Sequence, residues 1–74
     1  KMYTIYTLPN CTFCDQAKAL LTQKGYEYKD MLIGTDITRE EIAEIARGIK
    51  SAPIIYLGEE LIGTYQDLKK TLEQ

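Results

Sequence analysis

The hydrophobic pattern of the chain switches repeatedly between strand-like and helix-like periods. Residues 2–8, Met-Tyr-Thr-Ile-Tyr-Thr-Leu, are β-branched, aromatic or apolar throughout, which predicts a strand. Apolar or semi-apolar side chains fall on both of its faces, so the strand is expected at the centre of a sheet, covered on each side. Pro9 and Asn10 end it. Phe13, Ala17, Leu20 and Leu21 then recur at helical spacing and predict one apolar face of a first helix. Asn10 is the expected N-cap and Gly25 the expected stop. Residues 26–32 supply a second aromatic and apolar strand. Strand, helix, strand over about thirty residues reads as a parallel βαβ unit with a right-handed crossover.

The second half repeats the alternation with different connections. Residues 33–37 form a loop with Gly34 and Asp36 as turn residues. Thr38 and Glu41 have the spacing of a capping box, and Ile37 and Ile42 that of a hydrophobic staple. Ile42, Ile45, Ala46 and Ile49 stand at i, i+3, i+4 and i+7, the clearest amphipathic helix in the chain. Residues 54–57, Ile-Ile-Tyr-Leu, predict a third strand. A turn at Gly58 and a short return at Leu61 and Ile62 complete a hairpin. Gly63 breaks that strand. Thr64 at an N-cap, Asp67 in the first turn, and Leu68 and Leu72 on one face predict a last helix. The predicted order is β-α-β-α-β-β-α, an α/β fold with a mixed sheet. No repeat or linker interrupts it, so residues 1–74 are expected to form one domain.

Composition narrows the chemistry. The chain has 74 residues, a formal net charge of −2, two cysteines and no histidine. Acidic and basic residues are interspersed, without the basic patch of a nucleic-acid binder. No apolar run is long enough to cross a membrane, and the first residues do not read as a secretion signal. Without histidine there is no imidazole acid–base catalysis and no His-ligated zinc. Two cysteines are too few for a zinc site in one chain or for a secreted disulfide framework. No metal is therefore expected, and a cytoplasmic setting is, where a close cysteine pair serves catalysis or metal binding.

The two cysteines, Cys11 and Cys14, lie at the junction of the first strand and first helix. A thiol attacks a disulfide as its thiolate, so a catalytic cysteine needs a lowered pKa. Cys11 stands where the helix begins, and free backbone N–H groups and the helix dipole favour negative charge there. Cys14, one turn on, is more shielded but close enough to close a disulfide. Cys11 is therefore the expected nucleophile and Cys14 the expected resolving thiol.

Three segments carry a resemblance. Residues 6–14, Tyr-Thr-Leu-Pro-Asn-Cys-Thr-Phe-Cys, resemble the glutaredoxin active-site segment Y-T-K-x-x-C-P-Y-C. Residues 51–56, Ser-Ala-Pro-Ile-Ile-Tyr, resemble the T-V-P-x-I-F of that family. Residues 61–68, Leu-Ile-Gly-Thr-Tyr-Gln-Asp-Leu, resemble its x-I-G-G-x-x-D-L. The motifs come in the family's order and spacing and span essentially the whole chain.

The resemblance to this family, here in a short form, implies a thioredoxin fold with a four-stranded mixed sheet flanked by helices. It implies a monomeric, dithiol thiol–disulfide oxidoreductase that reduces protein disulfides and glutathione mixed disulfides and is re-reduced by glutathione. Disulfide-bearing client proteins are the implied partners, ribonucleotide reductase among them. The resemblance further implies a cis bond before Pro53, with the backbone of Ala52 pairing with the cysteine of glutathione. Gly63, Thr64, Tyr65, Gln66 and Asp67 would hold the γ-glutamyl end. Arg47 and Lys50 are candidates for the glycyl carboxylate. Tyr6 is either a wall of the site or core, and Phe13 either a wall or an exposed recognition residue. The chain departs from the family pattern at Leu8, where a basic residue is usual, and at Thr12, Phe13, Thr64 and Gln66. Two alternatives share the resemblance. One is a glutathione-independent redoxin reduced by thioredoxin reductase. The other is a dimer sharing a [2Fe–2S] cluster, with glutathione completing the four thiolates.

Overall fold

The computed structural model describes residues 1–73. Its elements follow the expected order: β1 (Tyr3–Thr7), α1 (Thr12–Gln23), β2 (Tyr28–Leu32), α2 (Arg39–Ile45), β3 (Ile54–Leu57), β4 (Glu60–Gly63) and α3 (Tyr65–Leu72). The four strands make one sheet in the order β2-β1-β3-β4. β1 pairs in parallel with β2, Ile5 opposite Asp30, and antiparallel with β3, Ile5 opposite Ile55. β3 and β4 form the hairpin, with a register shift between Ile55 and Tyr56. β1 is thus central, as its two apolar faces predict.

Alternation along β1 splits the interior in two. Tyr3 and Ile5 point into a cluster with Ala17 and Leu21 of α1, Ile55, and Leu68 of α3. Tyr6, on the opposite face, packs against Ile42, Ala46 and Ile54, with Ile33, Ile37 and Ile49 around them. The staple pair Ile37 and Ile42 therefore falls within one cluster. The caps predicted at Thr38 and Thr64 are formed. Thr38 accepts the Glu41 N–H at 3.0 Å and Glu41 accepts the Thr38 N–H at 3.0 Å. That backbone bond, with the Thr38 hydroxyl, holds the exposed Glu41 carboxyl below its ordinary range.

Several expected boundaries shift, each for a local reason. α2 ends at Ile45 rather than running on to Ile49, because Arg47 (φ 51°) and Gly48 (φ 88°) are both left-handed. Two such residues in succession turn the chain out of the helix. Ile49 still reaches the second cluster from the turn. β2 begins at Tyr28, not at residue 26, because Gly25 (φ 82°) and the bond from Tyr26 N–H to Leu21 O (2.9 Å) still belong to the exit from α1.

Candidate active site

Residues 8–10 connect the end of β1 to α1. Asn10 is not the N-cap: it is left-handed, at φ 55°, a conformation that asparagine tolerates better than most residues. It turns the chain, and the cap falls on Cys11, whose backbone is extended (φ −114°, ψ 103°). Cys11 Sγ accepts the N–H of Cys14 at 3.1 Å, while its carbonyl accepts the N–H of Asp15 at 3.1 Å. The sulfur thus occupies the position that a serine or aspartate oxygen takes in an ordinary cap. Negative charge on it is favoured by that N–H and by the positive end of a 12-residue helix.

Cys11 and Cys14 are joined as a disulfide, with their Cα atoms 5.2 Å apart. The two sulfurs differ in surroundings. Cys14 is 1% exposed, and Cys11 is only partly buried. Burial disfavours a thiolate at Cys14 and leaves Cys11 open to a substrate. Cys11 Sγ also lies 3.7 Å from the carbonyl oxygen of Ala52, and the Ala52–Pro53 bond is cis. Pro53 is buried.

On one side of the disulfide is the start of α3. Gly63 is buried with φ 123°, and a Cβ there would collide with the Asp67 carboxylate. Thr64 is the N-cap of a second capping box. Asp67 Oδ2 accepts the Thr64 N–H at 2.9 Å and the Thr64 hydroxyl at 3.0 Å. These bonds, the backbone one first, hold the Asp67 carboxyl below its ordinary range. Tyr65 and Gln66 follow as the first residues of α3, so their N–H groups have no intrahelical acceptor. The Tyr65 ring stacks on Phe13, centroids 5.6 Å apart, and Lys69 Nζ lies 5.7 Å from the Tyr65 centroid. Phe13 is 48% exposed. It belongs to this surface rather than to the apolar face of α1, which is built from Cys14, Ala17 and Leu21.

On the other side, beneath Ala52, is a cavity of about 250 Å³. Leu8, Ile33, Ile42, Ala46, Ile49 and Ile54 contribute its apolar lining, and Arg39 and Lys50 its two cations. The cavity brings together only one of the two cations expected from the sequence. Lys50 lines the cavity, whereas Arg47 does not, because its left-handed backbone belongs to the turn that ends α2. Arg39 was not singled out by sequence reasoning. The signal was present: Arg39, Ile42 and Ala46 stand at i, i+3 and i+7 on one face of α2. Tyr6, half-buried, packs against the second cluster, with its ring edge-to-face on Tyr56 at 6.2 Å.

A polar network that sequence reasoning missed braces the end of β1. The buried Thr7 hydroxyl donates to Asp30 Oδ1 at 2.7 Å, and Lys18 Nζ is 2.7 Å from Asp30 Oδ2. Burial opposes ionisation of Asp30, but the bonds from Lys18 and Thr7 outweigh it and lower the carboxyl's pKa. The network ties together one residue from each of β1, α1 and β2, which meet only when the βαβ unit closes, so no local pattern announces it.

The sequence matches the glutaredoxin family model over residues 3–62. A glutaredoxin of Pseudomonas aeruginosa is 39% identical over 66 residues, covering 86% of this chain and 76% of the relative. A hybrid peroxiredoxin of Haemophilus influenzae is 34% identical over 67 residues. That match covers 90% of this chain but only 27% of the longer protein. The solution structure of glutaredoxin from Brucella melitensis superposes with a TM-score of 0.80 at 34% identity. It covers 97% of this chain and 78% of that one. Motif order, mixed sheet and cysteine pair agree with these likenesses, and the chain belongs to the glutaredoxin family of thiol–disulfide oxidoreductases, within the thioredoxin superfamily.

Proposed function

We propose that the chain reduces protein disulfides and glutathione mixed disulfides through Cys11, and that glutathione restores the dithiol. The observation that carries this reading is the cap geometry, in which Cys11 Sγ accepts the Cys14 N–H at 3.1 Å while remaining partly exposed. The Cys11 thiolate attacks one sulfur of the substrate disulfide. That S–S bond breaks, one substrate thiolate leaves and takes up a proton, and the other substrate sulfur stays bound to Cys11. Cys14 loses its proton and attacks Cys11 Sγ, expelling the second substrate thiol. The product is the Cys11–Cys14 disulfide. One glutathione thiolate then attacks Cys11 and releases Cys14, and a second removes the first as glutathione disulfide. Two electrons pass in each half-reaction.

Glutathione fits as an extended peptide across the groove. Its cysteine backbone pairs with Ala52. Its γ-glutamyl carboxylate takes the free N–H groups of Tyr65 and Gln66 at the start of α3. Its ammonium meets Asp67, whose carboxyl stays ionised. Gly63 keeps the space against Asp67 clear of a side chain. The glycyl carboxylate meets Lys50 and Arg39. The setting is the cytoplasm, where the glutathione pool keeps such pairs reduced.

Single serine variants test the roles. Cys11→Ser is expected to abolish disulfide reduction. Cys14→Ser is expected to retain turnover of a glutathione mixed disulfide while losing that of a protein disulfide. Activity surviving in Cys11→Ser would overturn the assignment. Electron supply is tested separately, by comparing re-reduction with glutathione plus its reductase against thioredoxin reductase. Faster re-reduction by the latter would remove glutathione from the cycle.

A further inference from the structure

We propose that the cavity beneath Ala52 is a specificity pocket for polypeptide substrates. It takes an apolar side chain from the residue following the attacked cysteine, with an acidic residue next to it. The proposal rests on the reading above for the role of Cys11 and for the direction in which a thiol peptide lies. It does not depend on the source of electrons.

Three observations carry it. First, the cavity adjoins the reacting sulfur, because Ala52 belongs to its lining and the Ala52 carbonyl oxygen is 3.7 Å from Cys11 Sγ. A substrate cysteine attacked by Cys11 and aligned along Ala52 delivers its next residue there. Second, the lining is apolar where glutathione has nothing to place. The residue after the cysteine of glutathione is glycine, which leaves the partly exposed Leu8, Ile33 and Ile49 uncovered. A leucine or isoleucine in that position removes those side chains from water, and about 250 Å³ accommodates it. Leu8 is decisive, because a basic side chain there would make this wall polar. Third, the cavity is charged with one sign. Arg39 and Lys50 line it, and among the described residues neither is in an ion pair, the one salt bridge being Lys18–Asp30. In a chain of net charge −2, two unpaired cations beside an apolar pocket select an acidic group on the ligand.

The step is the one already written. The Cys11 thiolate forms a mixed disulfide with the peptide cysteine, and Cys14 releases that peptide as its thiol. A single-turnover experiment with fully reduced protein isolates it. The probes are symmetric disulfide dimers of acetyl-Ala-Cys-Leu-Glu-amide, of its Gly analogue at the Leu position, and of its Lys analogue at the Glu position. The rate of Cys11–Cys14 oxidation is expected to be about tenfold faster with Cys-Leu-Glu than with Cys-Gly-Glu. It is also expected to be several-fold faster than with Cys-Leu-Lys. Ala43→Trp, at an exposed position on the cavity wall, is expected to bring the Leu-to-Gly ratio to about one. Arg39→Gln combined with Lys50→Gln is expected to remove the preference for Glu over Lys while keeping that for Leu over Gly. Circular dichroism of both variants checks that they fold. A Leu-to-Gly ratio near one in the unmodified protein overturns the proposal, and so does a ratio that Ala43→Trp leaves unchanged. If all three peptides react equally while glutathione turnover persists, the oxidoreductase reading stands and the pocket assignment falls.

Discussion

The two faces of the sheet are built to different standards. On one face α1 and α3, of 12 and 8 residues, close over Ile5, Ala17, Leu21, Ile55 and Leu68, every one at 0% exposure. On the other a single helix of 7 residues covers Ile42, Ala46 and Ile54, which keep 8%, 7% and 4%. A cavity opens beside them. The sheet itself is shared, so the difference lies in the helical cover. The first face holds Cys14 and the frame of the disulfide. The second leaves room beside Cys11. Small domains have little core to spare, and here the packing is concentrated on the face away from the cavity.

The strongest test of this contrast is a matched pair of truncations. Leu68→Ala should cost about 3 kcal/mol, measured by urea unfolding, because the buried site cannot collapse around the loss. Ile42→Ala should cost about 2 kcal/mol, at the low end of such substitutions, since its surroundings are already open. Equal losses would dissolve the distinction. Gly63→Ala is expected to come next, at about 2 kcal/mol, through its left-handed backbone and the collision with Asp67. Because it also disturbs the Thr64–Asp67 cap, it should raise the KM for glutathione, which Ile42→Ala would do less.

Thr38→Ala removes the cap of α2 and should cost about 1 kcal/mol, read from the same unfolding curves. The smallest effect is expected at Asp30. Its side chain and that of Lys18 are 41% and 28% exposed, so solvent screens the pair and Asp30→Asn should cost about 0.5 kcal/mol. Asp30 and Asp67 are both held below their ordinary value of 3.8, and Glu41 below 4.5. A depressed carboxyl contributes stability that is complete above its unfolded pKa and lost as pH falls through its folded one. Melting temperature should therefore be flat above about pH 5 in respect of these groups and decline below pH 4. Asp67→Asn should remove part of that decline.

Local rules were readable wherever one residue type had one job. Thr38 with Glu41, and Thr64 with Asp67, are caps on the page as they are in the molecule. The cysteine pair announced its chemistry by its spacing together with its place between a strand and a helix. Rules failed where two residues competed for one position. Asn10 is the better cap by side chain, yet Asn10 also tolerates a left-handed turn, and the turn prevailed. Phe13 and Cys14 are neighbours 100° apart on a helix. Periodicity favoured the aromatic ring for the interior, but the sulfur was buried and the ring stacked on Tyr65 instead. The Thr7–Asp30–Lys18 network and the cavity were illegible because each is assembled from segments that meet only in the fold.

One feature of the sheet governs when the two cysteines acquire their native surroundings. β1 is the central strand, yet its antiparallel neighbour is β3, so that Tyr3 is paired with Leu57. During synthesis the strand that precedes the cysteines emerges long before the segment that completes its pairing. Contacts this distant in sequence form late and slowly. Ala52 and Pro53, just ahead of β3, reach Cys11 only when that pairing closes. Until then Cys11 lacks its contact with the Ala52 carbonyl. A nascent chain therefore carries the thiols before it carries their native surroundings, which arrive with the last strands.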